Sequence, residues 1–555
     1  MFQEKRFKAN FLIHCALIYF MGVHKIQSFD YWTHLRIGQE LSSLPLFSSA
    51  FFSSVFQFTE FGLSSFVFSW GLYGLQSLGG DVLVSLTVAA LAAFPYAIYL
   101  WFSSRKLSLR NHLLFICVVY VTVLILDFRV APRPETLAYV MMTLLLSLVL
   151  WLNFFSSSSF WRIATIGFGI IIMWAMFHPS WPIGIYFFVL LYIASSHQKP
   201  HLRMPATKKS IALLSLVFTP LALGCGAFIW FIVRELQSGG LISTASEMQP
   251  LWSFLSILLS VIGLTLICIY LIVFNVERWK RRVVIALLLI LPGLFVVRVV
   301  GFSLLALLAL VLMALSQNEG KASHRAFFNK WAIMVVGVLC LGANMVDKDP
   351  IAGTGVRWEL FPLKSAGFVA EHHWQGNILN QWGWGGFLRY IWQGEPDVFL
   401  DGTLFSKARL HAHDQFMAGG PLEPIIQKYN ISLFLSPALY LDSGRLYPVF
   451  YRLLFDPRWM LVDASDAVIF ARTPLPSEVD RLAPKVFWEH VLWQADVLDK
   501  TDGFKPHLQY SRGIASLELA NFSEAQKYFS AALKEAPELK KYYAPYLYRS
   551  GVPID

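Results

Sequence analysis

Residues 287–305 read LLLILPGLFVVRVVGFSLL, an apolar stretch with one charged residue, Arg298. Apolar runs of roughly 20 residues cross a bilayer as helices, because only a helix satisfies its own backbone polar groups in hydrocarbon. This stretch belongs to two predicted spans, near 283–297 and 300–316, with Arg298 at the tip between them. Runs of similar character predict further spans near 9–25, 81–102, 112–128, 136–154, 162–177, 181–195, 211–233, 251–275 and 331–346. The sequence therefore predicts a mainly α, polytopic transmembrane bundle of about eleven spans.

The composition supports a membrane protein. Of 555 residues, 56% are hydrophobic and only 14% are charged, and the mean hydropathy is +0.54. These values exclude an ordinary soluble enzyme. The net charge of +10 could suggest nucleic acid, but the basic residues fall in short gaps between apolar runs, so we expect no nucleic-acid partner. The five cysteines lie in apolar stretches without metal-ligand spacing, which predicts neither disulfides nor ligands.

The loops predict the orientation. With eleven spans, the loops rich in lysine and arginine all fall on one side, which the positive-inside rule makes cytoplasmic. The odd number then places the N-terminus in the cytoplasm and everything after residue 346 outside, in the periplasm of a bacterial inner-membrane protein. The outer loops are predicted at 26–80, 129–135, 178–180 and 234–250.

The pattern changes after the last predicted span. We expect a transmembrane domain over 1–346, a periplasmic α/β domain over 347–480 and a helical segment over 485–555. Strand-like runs occupy Asn377–Asn380, Asp397–Asp401, Ile431–Ser436, Trp459–Val462 and Ala467–Ala471. In the last segment, SRGIASLELANFSEAQKYFSAALKEAP fits one tetratricopeptide unit, in which small residues such as Gly513 face aromatic ones such as Phe529. A single repeat either packs on its own domain or docks a protein partner.

The first outer loop contains FDYWTHLRIGQEL at residues 29–41. Asp30 and His34 are four residues apart, so they share one face of an emerging helix close to the membrane surface. An aspartate there can act as a general base or bind a cation that carries a phosphate. The alternative is that Asp30 caps the helix and His34 lies in the aromatic interface belt.

Other outer-face residues predict an anion site. Arg129 and Arg133 run against the positive-inside trend, and neighbouring prolines fix the backbone that presents them, with Glu135 close behind. Guanidinium groups held in this way suit a phosphate or pyrophosphate. His178 and Arg298 lie on the same predicted face, and an ionisable residue at membrane depth is a functional hypothesis by default. Interfacial snorkelling of the arginines and a helix-packing salt bridge at Arg298 are the competing interpretations.

The predicted soluble domain contains NILNQWGWGGFLRY, followed by DVFLDG. Trp382 and Trp384 beside close-approach glycines suit contact with a sugar or peptide acceptor, and Asp401 ends the following hydrophobic run. A tight turn in a buried core would use the same residues, and Asp401 would then only close a turn.

Taken together, these motifs resemble those of membrane-embedded glycosyltransferases of the GT-C type. The chain is particularly similar to bacterial members with a soluble tail that carries tetratricopeptide units. The similarity lies in FDYWTHLRIGQEL, RVAPRPETL, MWAMFHPSWPIG, NQWGWGGFLRY and DVFLDG. The resemblance implies that Asp30 is catalytic and that the donor is a sugar on polyprenyl phosphate or pyrophosphate. The segment at 382–386 partly matches the Trp-Trp-Asp-Tyr-Gly motif of oligosaccharyltransferases but lacks its aspartate, which argues against transfer to sequons.

These observations predict sugar transfer from a lipid-linked donor to a protein or glycan acceptor on the periplasmic face. Asp30 would be the base and His34 would support it, Arg129, Arg133 and Arg298 would hold phosphate, and Glu135 and His178 would support them. No cofactor is expected, since the loop lacks an acidic pair for Mg²⁺ or Mn²⁺. The alternatives are a non-catalytic scaffold for envelope or pilus assembly that docks partners through its tail, and a polysaccharide polymerase or ligase.

Overall fold

The structure is a computed structural model that describes residues 2–45, 48, 65–155, 160–178, 180–196, 251–276, 279–317, 352–374, 376–393, 395–401, 407–476, 478–502 and 505–552. The chain forms two compact units. The first comprises Met1–Ser28 and Ile37–Val356, and the second comprises Phe29–Arg36 and Arg357–Asp555. The segment around Asp30 therefore belongs with the C-terminal unit, and the predicted boundary at 346 stays a prediction.

The first unit is helical where it is described. Its helices are α1 Phe2–Met21, α2 Asp30–Ser42 (of which the part from Ile37 belongs to this unit), α3 Phe66–Lys106, α4 Leu109–Leu126, α5 Pro134–Phe155, α6 Phe160–Phe177, α7 Trp181–Ser196, α8 Leu255–Asn275, α9 Trp279–Phe295 and α10 Val300–Leu315. Nine of the eleven predicted spans coincide with these helices. The predicted spans at 211–233 and 331–346, and the predicted outer loop at 234–250, lie outside the described residues.

Five of the described helices are long and apolar enough to cross a membrane. They are Phe66–Lys106, Leu109–Leu126, Pro134–Phe155, Ile257–Asn275 and Val297–Leu315, and shorter apolar helices cover Phe11–Met21, Thr165–Phe177 and Trp181–Ser195. The chain is therefore a multi-pass, mainly helical membrane protein, while its orientation remains a prediction.

Helix α10 is the centre of the first unit. Every residue from Val300 to Leu315 is buried, as expected for a helix that is apolar on all sides. Small residues allow close approach around it: a Cβ added at Gly301 would lie 2.5 Å from the Tyr139 hydroxyl, and one at Gly293 would lie 3.2 Å from the Val300 Cα. The core of this unit is thus fixed by close helix packing.

Helix α3 corrects part of the predicted first outer loop. It begins at Phe66, so residues 66–80 are helical rather than loop. Its backbone leaves helical geometry at Gly79 and Gly80, where Gly80 adopts a φ of 65° that other residues rarely take. The break explains why the apolar periodicity predicted a span only from residue 81.

The second unit contains a small mixed sheet. Its strands are β1 Asn377–Asn380, β2 Ile431–Ser436, β3 Trp459–Asp463 and β4 Val468–Arg472, in the order β1-β2-β4-β3. Strand β1 pairs with β2 in parallel, and the other pairs are antiparallel. Four of the five predicted strand runs are strands, whereas Asp397–Asp401 forms only an isolated bridge between Val398 and Ile378.

Helices surround this sheet. They are α11 Leu363–Glu371, α12 Gly385–Ile391, α13 Lys407–Met417, α14 Leu422–Tyr429, α15 Val449–Leu453, α16 Pro484–Asp502, α17 Pro506–Glu518, α18 Phe522–Glu535 and α19 Lys540–Ser550. The last four occupy the predicted 485–555 segment. A Cβ at Gly513 would lie 2.5 Å from the Phe529 ring, so α17 and α18 pack as closely as the repeat pattern requires.

The helical tail shares its core with the sheet. Phe487 of α16 contacts Phe450 and Phe470, with ring centroids 4.9 and 6.3 Å apart. One hydrophobic cluster runs from Leu379 in β1 to Val552. The predicted division between 347–480 and 485–555 is therefore not a boundary between separate cores. The apolar faces of these helices are buried in the same cluster as the sheet, while the tetratricopeptide assignment stays a prediction.

Candidate functional site

Three connections at the same end of the first unit contain the predicted anion-binding residues. A 3₁₀ turn, Asp127–Arg129, follows α4, a second, Val297–Val299, contains Arg298 between α9 and α10, and His178 lies between α6 and α7. The contacts of Arg298 with Glu135 and Arg129, and the approach of His178 to Glu135, bring these connections together. The structure thus places residues that are far apart in sequence close together.

Arg298 and Glu135 form an ion pair at this end. The Glu135 side chain is 7% exposed and that of Arg298 is 31% exposed, so the carboxylate is buried and the guanidinium reaches the surface. Glu135 lies in the first turn of α5, directly after Pro134, where the helix dipole favours a negative charge. Arg129 donates from Nη2 to the backbone carbonyl of Arg298 at 3.1 Å. The two guanidinium groups therefore belong to one connected cluster.

His178 is held by hydrogen bonds in one tautomer. Its Nδ1 accepts the backbone N–H of Ser180 at 3.1 Å and lies 2.7 Å from the Ser180 hydroxyl, to which Trp174 donates its indole N–H at 3.1 Å. The ring proton consequently resides on Nε2, which is 3.7 Å from Glu135 Oε1. Burial, together with the positive charge of Arg129, lowers the pKa of His178 to about 3. His178 is therefore a neutral donor directed at Glu135.

Two further pairs flank this cluster, and one of them was missed by sequence reasoning. Asp127 Oδ1 lies 2.9 Å from His24 Nε2, and Arg133 donates from Nε to the Ser28 hydroxyl at 3.0 Å. The position of Asp127, two residues before Arg129 in the same short loop, is the signal that could have identified it. Arg133 is present at the predicted face but points to Ser28.

A small cavity adjoins the cluster. It is lined by Asp127, Arg129 and the side chains of Tyr96, Thr136 and Tyr139, and its volume is about 40 Å³. This space holds one or a few water molecules and is too small for a sugar. A larger ligand would have to bind over the exposed part of Arg298.

The predicted catalytic residues lie in the second unit. Asp30 begins helix α2 and His34 follows one turn later, so the shared face predicted from their spacing exists, and both side chains are half-buried. Between them, Trp32 is buried in an aromatic cluster with Trp358, Phe361, Phe387 and Tyr390, at centroid distances of 5.1 to 5.6 Å. This cluster fixes the start of α2 on the C-terminal unit.

The glycines of NQWGWGGFLRY serve close packing. A Cβ at Gly386 would lie 2.2 Å from the Thr33 hydroxyl oxygen, and one at Gly385 would lie 1.9 Å from the Leu400 carbonyl oxygen. The two motifs that the sequence analysis treated separately, around Asp30 and around Trp384, therefore contact each other directly within one unit.

The predicted acceptor contacts differ in accessibility. Trp384 is buried, and its indole N–H donates to the Leu360 carbonyl at 2.9 Å, whereas Trp382 is only half-buried. Asp401 is 2% exposed and forms an ion pair with Arg389 at 2.8 Å. The geometry of Trp384 and Asp401 favours the structural interpretation over a sugar platform. Within the described residues, no group of three or more histidine, cysteine or acidic side chains is placed to hold a metal ion.

No protein-family model matches the sequence, and no curated protein sequence matches it. The solved structures to which the chain is similar include two glycosyltransferases.

The first is arabinofuranosyltransferase AftD from Mycobacteria, with 14% identity and a TM-score of 0.45 over 84% of this chain and 40% of that one. The second is the archaeal oligosaccharyltransferase AglB from Archaeoglobus fulgidus, in complex with an inhibitory peptide and a dolichol-phosphate, with 10% identity and a TM-score of 0.48 over 87% of this chain and 77% of that one. The chain spans less than half the length of AftD. At this level of similarity, the function must be argued from the chain's own residues.

Proposed function

We propose that the chain is a glycosyltransferase that moves a sugar from a polyprenyl phosphate or pyrophosphate donor to a protein or glycan acceptor. The observation that carries this proposal is the cluster of Arg129, Glu135, His178 and Arg298 at one end of the helical unit. Such a cluster at the end of apolar helices suits a ligand with a charged head and a lipid tail. The proposed location is the outer face of a bacterial inner membrane.

The cluster can bind phosphate because its cations exceed its anions. Within the cluster, Arg129 and Arg298 accompany a single carboxylate, that of Glu135, which leaves a positive excess. Arginine binds phosphate through paired N–H donors, and a guanidinium at the edge of a low-dielectric site attracts an anion more strongly than one in water. Glu135 and His178 would keep Arg298 in position until the phosphate arrives.

The proposed reaction needs a base and a stabilised leaving group. A hydroxyl or similar group of the acceptor forms a bond to the anomeric carbon of the sugar, and the bond from that carbon to the phosphate oxygen breaks. Asp30 would take the acceptor proton, supported by His34, while the arginines would stabilise the charge that develops on the departing polyprenyl phosphate.

Donor binding provides the first test. Polyprenyl phosphate, the leaving group itself, serves as the probe with purified protein in detergent. Loss of a charge-assisted hydrogen bond costs about 1.5–3 kcal/mol, so Arg298→Gln should weaken binding roughly 10- to 100-fold. Arg110→Gln, an exposed arginine at the start of α4 and hence at the other end of the bundle, is the matched control. Equal affinity of both variants for polyprenyl phosphate would contradict the proposed phosphate site.

Catalysis needs a separate test. Asp30→Asn should abolish glycan product in cells while polyprenyl phosphate still binds. A scaffold would keep its phenotype in this variant, provided that the protein inserts in normal amounts. A polymerase or ligase would lose product as a transferase does, and would differ in the acceptor that accumulates.

A further inference from the structure

The cavity beside Arg129 lies inside the helical unit and has walls of two kinds. Its lining residues come from helices α1, α3, α4, α5 and α10 and from the turn that follows α4. Most of them are apolar, such as Ile18, Ala93 and Leu305, and a cavity with only such walls would stay dry. The polar lining residues are Tyr96, Asp127, Arg129, Thr136 and Tyr139. These polar groups decide what the cavity holds.

Tyr139 supplies a hydroxyl group whose position is fixed. A Cβ at Gly301 would lie 2.5 Å from this hydroxyl oxygen, and the Tyr139 ring packs on Phe302 with the centroids 4.7 Å apart. Tyr139 is 8% exposed, and within the described residues its hydroxyl has no hydrogen-bond partner. A buried hydroxyl without a partner is costly, and Tyr139 lines a cavity large enough for water. Water is therefore the partner of matching size.

The other polar walls can bind the same water. Thr136 donates its hydroxyl hydrogen to the Ala131 carbonyl at 2.7 Å, so its oxygen can still accept a hydrogen bond. Asp127 Oδ1 lies 2.9 Å from His24 Nε2, which leaves further lone pairs on the carboxylate. The cavity volume of about 40 Å³ exceeds the roughly 10–15 Å³ that one water needs, and a buried water needs about two to four polar partners. The cavity meets both requirements.

Asp127 connects this cavity to the arginine cluster. Asp127 and Arg129 are the first and last residues of one 3₁₀ turn, which the Val130 N–H closes by donating to the Asp127 carbonyl at 3.0 Å. From this turn, Arg129 donates from Nη2 to the backbone carbonyl of Arg298. A constraint on the Asp127 side chain therefore limits where the Arg129 guanidinium can lie.

We propose that ordered water fills this cavity and joins the hydroxyls of Tyr96 and Tyr139 to the carboxylate of Asp127. Through this water, the two tyrosines are positioning residues for the turn that carries Arg129. A hydrogen bond bridged by ordered water is nearly as favourable as a direct one, so the turn is held almost as firmly as by a direct contact. The consequence for phosphate binding rests on the proposed function, whereas the water and its effect on the turn do not.

Hydroxyl-radical footprinting of the wild-type protein in detergent tests the water itself. X-rays generate the radicals from water in place, so a buried tyrosine is modified where water is bound beside it. Tyr96 and Tyr99 are a matched pair, because they lie one turn apart on α3 and are 7% and 0% exposed, and of the two only Tyr96 lines the cavity. Tyr96 should be modified severalfold faster than Tyr99. Equally slow modification of the two would overturn the proposal.

Tyr96→Phe tests the effect on the turn. This variant removes one hydroxyl and keeps the ring, so the Val130 amide should exchange with deuterium roughly fivefold faster, the equilibrium equivalent of one lost hydrogen bond. Tyr99→Phe should leave this exchange unchanged. Unchanged exchange at Val130 in Tyr96→Phe would overturn the positioning role, and Tyr139→Phe provides the same comparison if Tyr96→Phe does not fold.

Polyprenyl phosphate links the turn to the proposed donor site. Its affinity should fall roughly fivefold in Tyr96→Phe and stay at the wild-type value in Tyr99→Phe, at equal Tm of the two variants. Faster exchange at Val130 with unchanged affinity would overturn the link to the cluster. If the wild type itself does not bind polyprenyl phosphate, the proposed function fails, while footprinting and exchange still decide whether water holds the turn.

Discussion

Replacement of Asp401 by asparagine distinguishes a structural role for this residue from a catalytic one. Asp401 is 2% exposed, and its Oδ2 lies 2.8 Å from Nη1 of Arg389, whose side chain is 18% exposed. The substitution keeps the shape of the side chain but removes its charge, so it leaves a largely buried guanidinium without its counter-ion. Breaking such a pair from one side costs about 3 kcal/mol or more.

The magnitude follows from the size of the unit. The second unit comprises Phe29–Arg36 and Arg357–Asp555, and a unit of roughly 200 residues loses about 2–4 °C of Tm per kcal/mol. Asp401→Asn should therefore lower the Tm of this unit by about 6–12 °C. The measurement is a thermal melt of full-length protein in detergent, followed by tryptophan fluorescence. Asp456→Asn is the matched control, because Asp456 pairs with an exposed arginine, Arg458, at 2.7 Å, where water screens the interaction.

The control should shift the Tm far less than Asp401→Asn does. An unchanged Tm in Asp401→Asn would refute the reasoning from burial. If that variant also lost transfer activity, Asp401 would be a contact to substrate, as the sequence interpretation suggested. A large loss of stability, with activity retained at low temperature, would assign Asp401 to the architecture of the unit.

Four further predictions follow from the same geometry. Gly386→Ala should destabilise the second unit by about 1–3 kcal/mol in a denaturant or thermal melt, because its Cβ would overlap the Thr33 hydroxyl, and Thr33→Ala should restore part of the loss; an unaffected Gly386→Ala protein would contradict the close approach. Burial lowers the pKa of His490 below its ordinary 6.5, so the stability that depends on its neutral form is complete above pH 6.5 and declines as the pH falls below that value. In a pH series of thermal melts, the loss of stability at low pH should be smaller in His490→Gln than in the wild type. The same dependence of Tm on pH in both proteins would exclude His490 as the cause of this loss. Arg298→Lys should weaken polyprenyl phosphate binding although the charge is kept, because lysine lacks the bidentate fork, and full affinity in this variant would leave only a point-charge role. Alkaline phosphatase fused to the C-terminus should be active in the periplasm, and an inactive fusion would overturn the predicted orientation.

The helical membrane part could be predicted because its signal is local. A run such as residues 300–316 is apolar over a whole bilayer thickness, whatever it contacts, and the structure contains helix Val300–Leu315 there. The strands were also predicted from short apolar runs, as at Ile431–Ser436. Residues Asp397–Asp401 have a similar strand-like pattern but form a β-bridge only at Val398, because a strand also needs a neighbouring strand in register.

The candidate site was predictable in part. The unusual arginines on the outer face identified Arg129 and Arg298 individually, and spacing placed Asp30 and His34 on one helical face. Glu135 and His178 were also named from the sequence as supporting residues, but the atoms that each contacts were not predictable, because pairing depends on which loops the fold brings together. The ion pair of Glu135 with Arg298 joins different helices, whereas the tautomer of His178 is fixed by Ser180, two residues away along the chain.

The sequence by itself determined a multi-pass helical protein with a C-terminal α/β unit, since hydrophobic length and period are properties of each segment alone. Only the tertiary structure decided what the glycines of NQWGWGGFLRY do and that Trp384 and Asp401 are buried. It also decided that the helical tail completes the core around the sheet, where Phe487 meets Phe450. The physical reason is that packing is a relation between surfaces far apart along the chain. Whether an aromatic side chain is a platform or a core residue depends on which surface covers it.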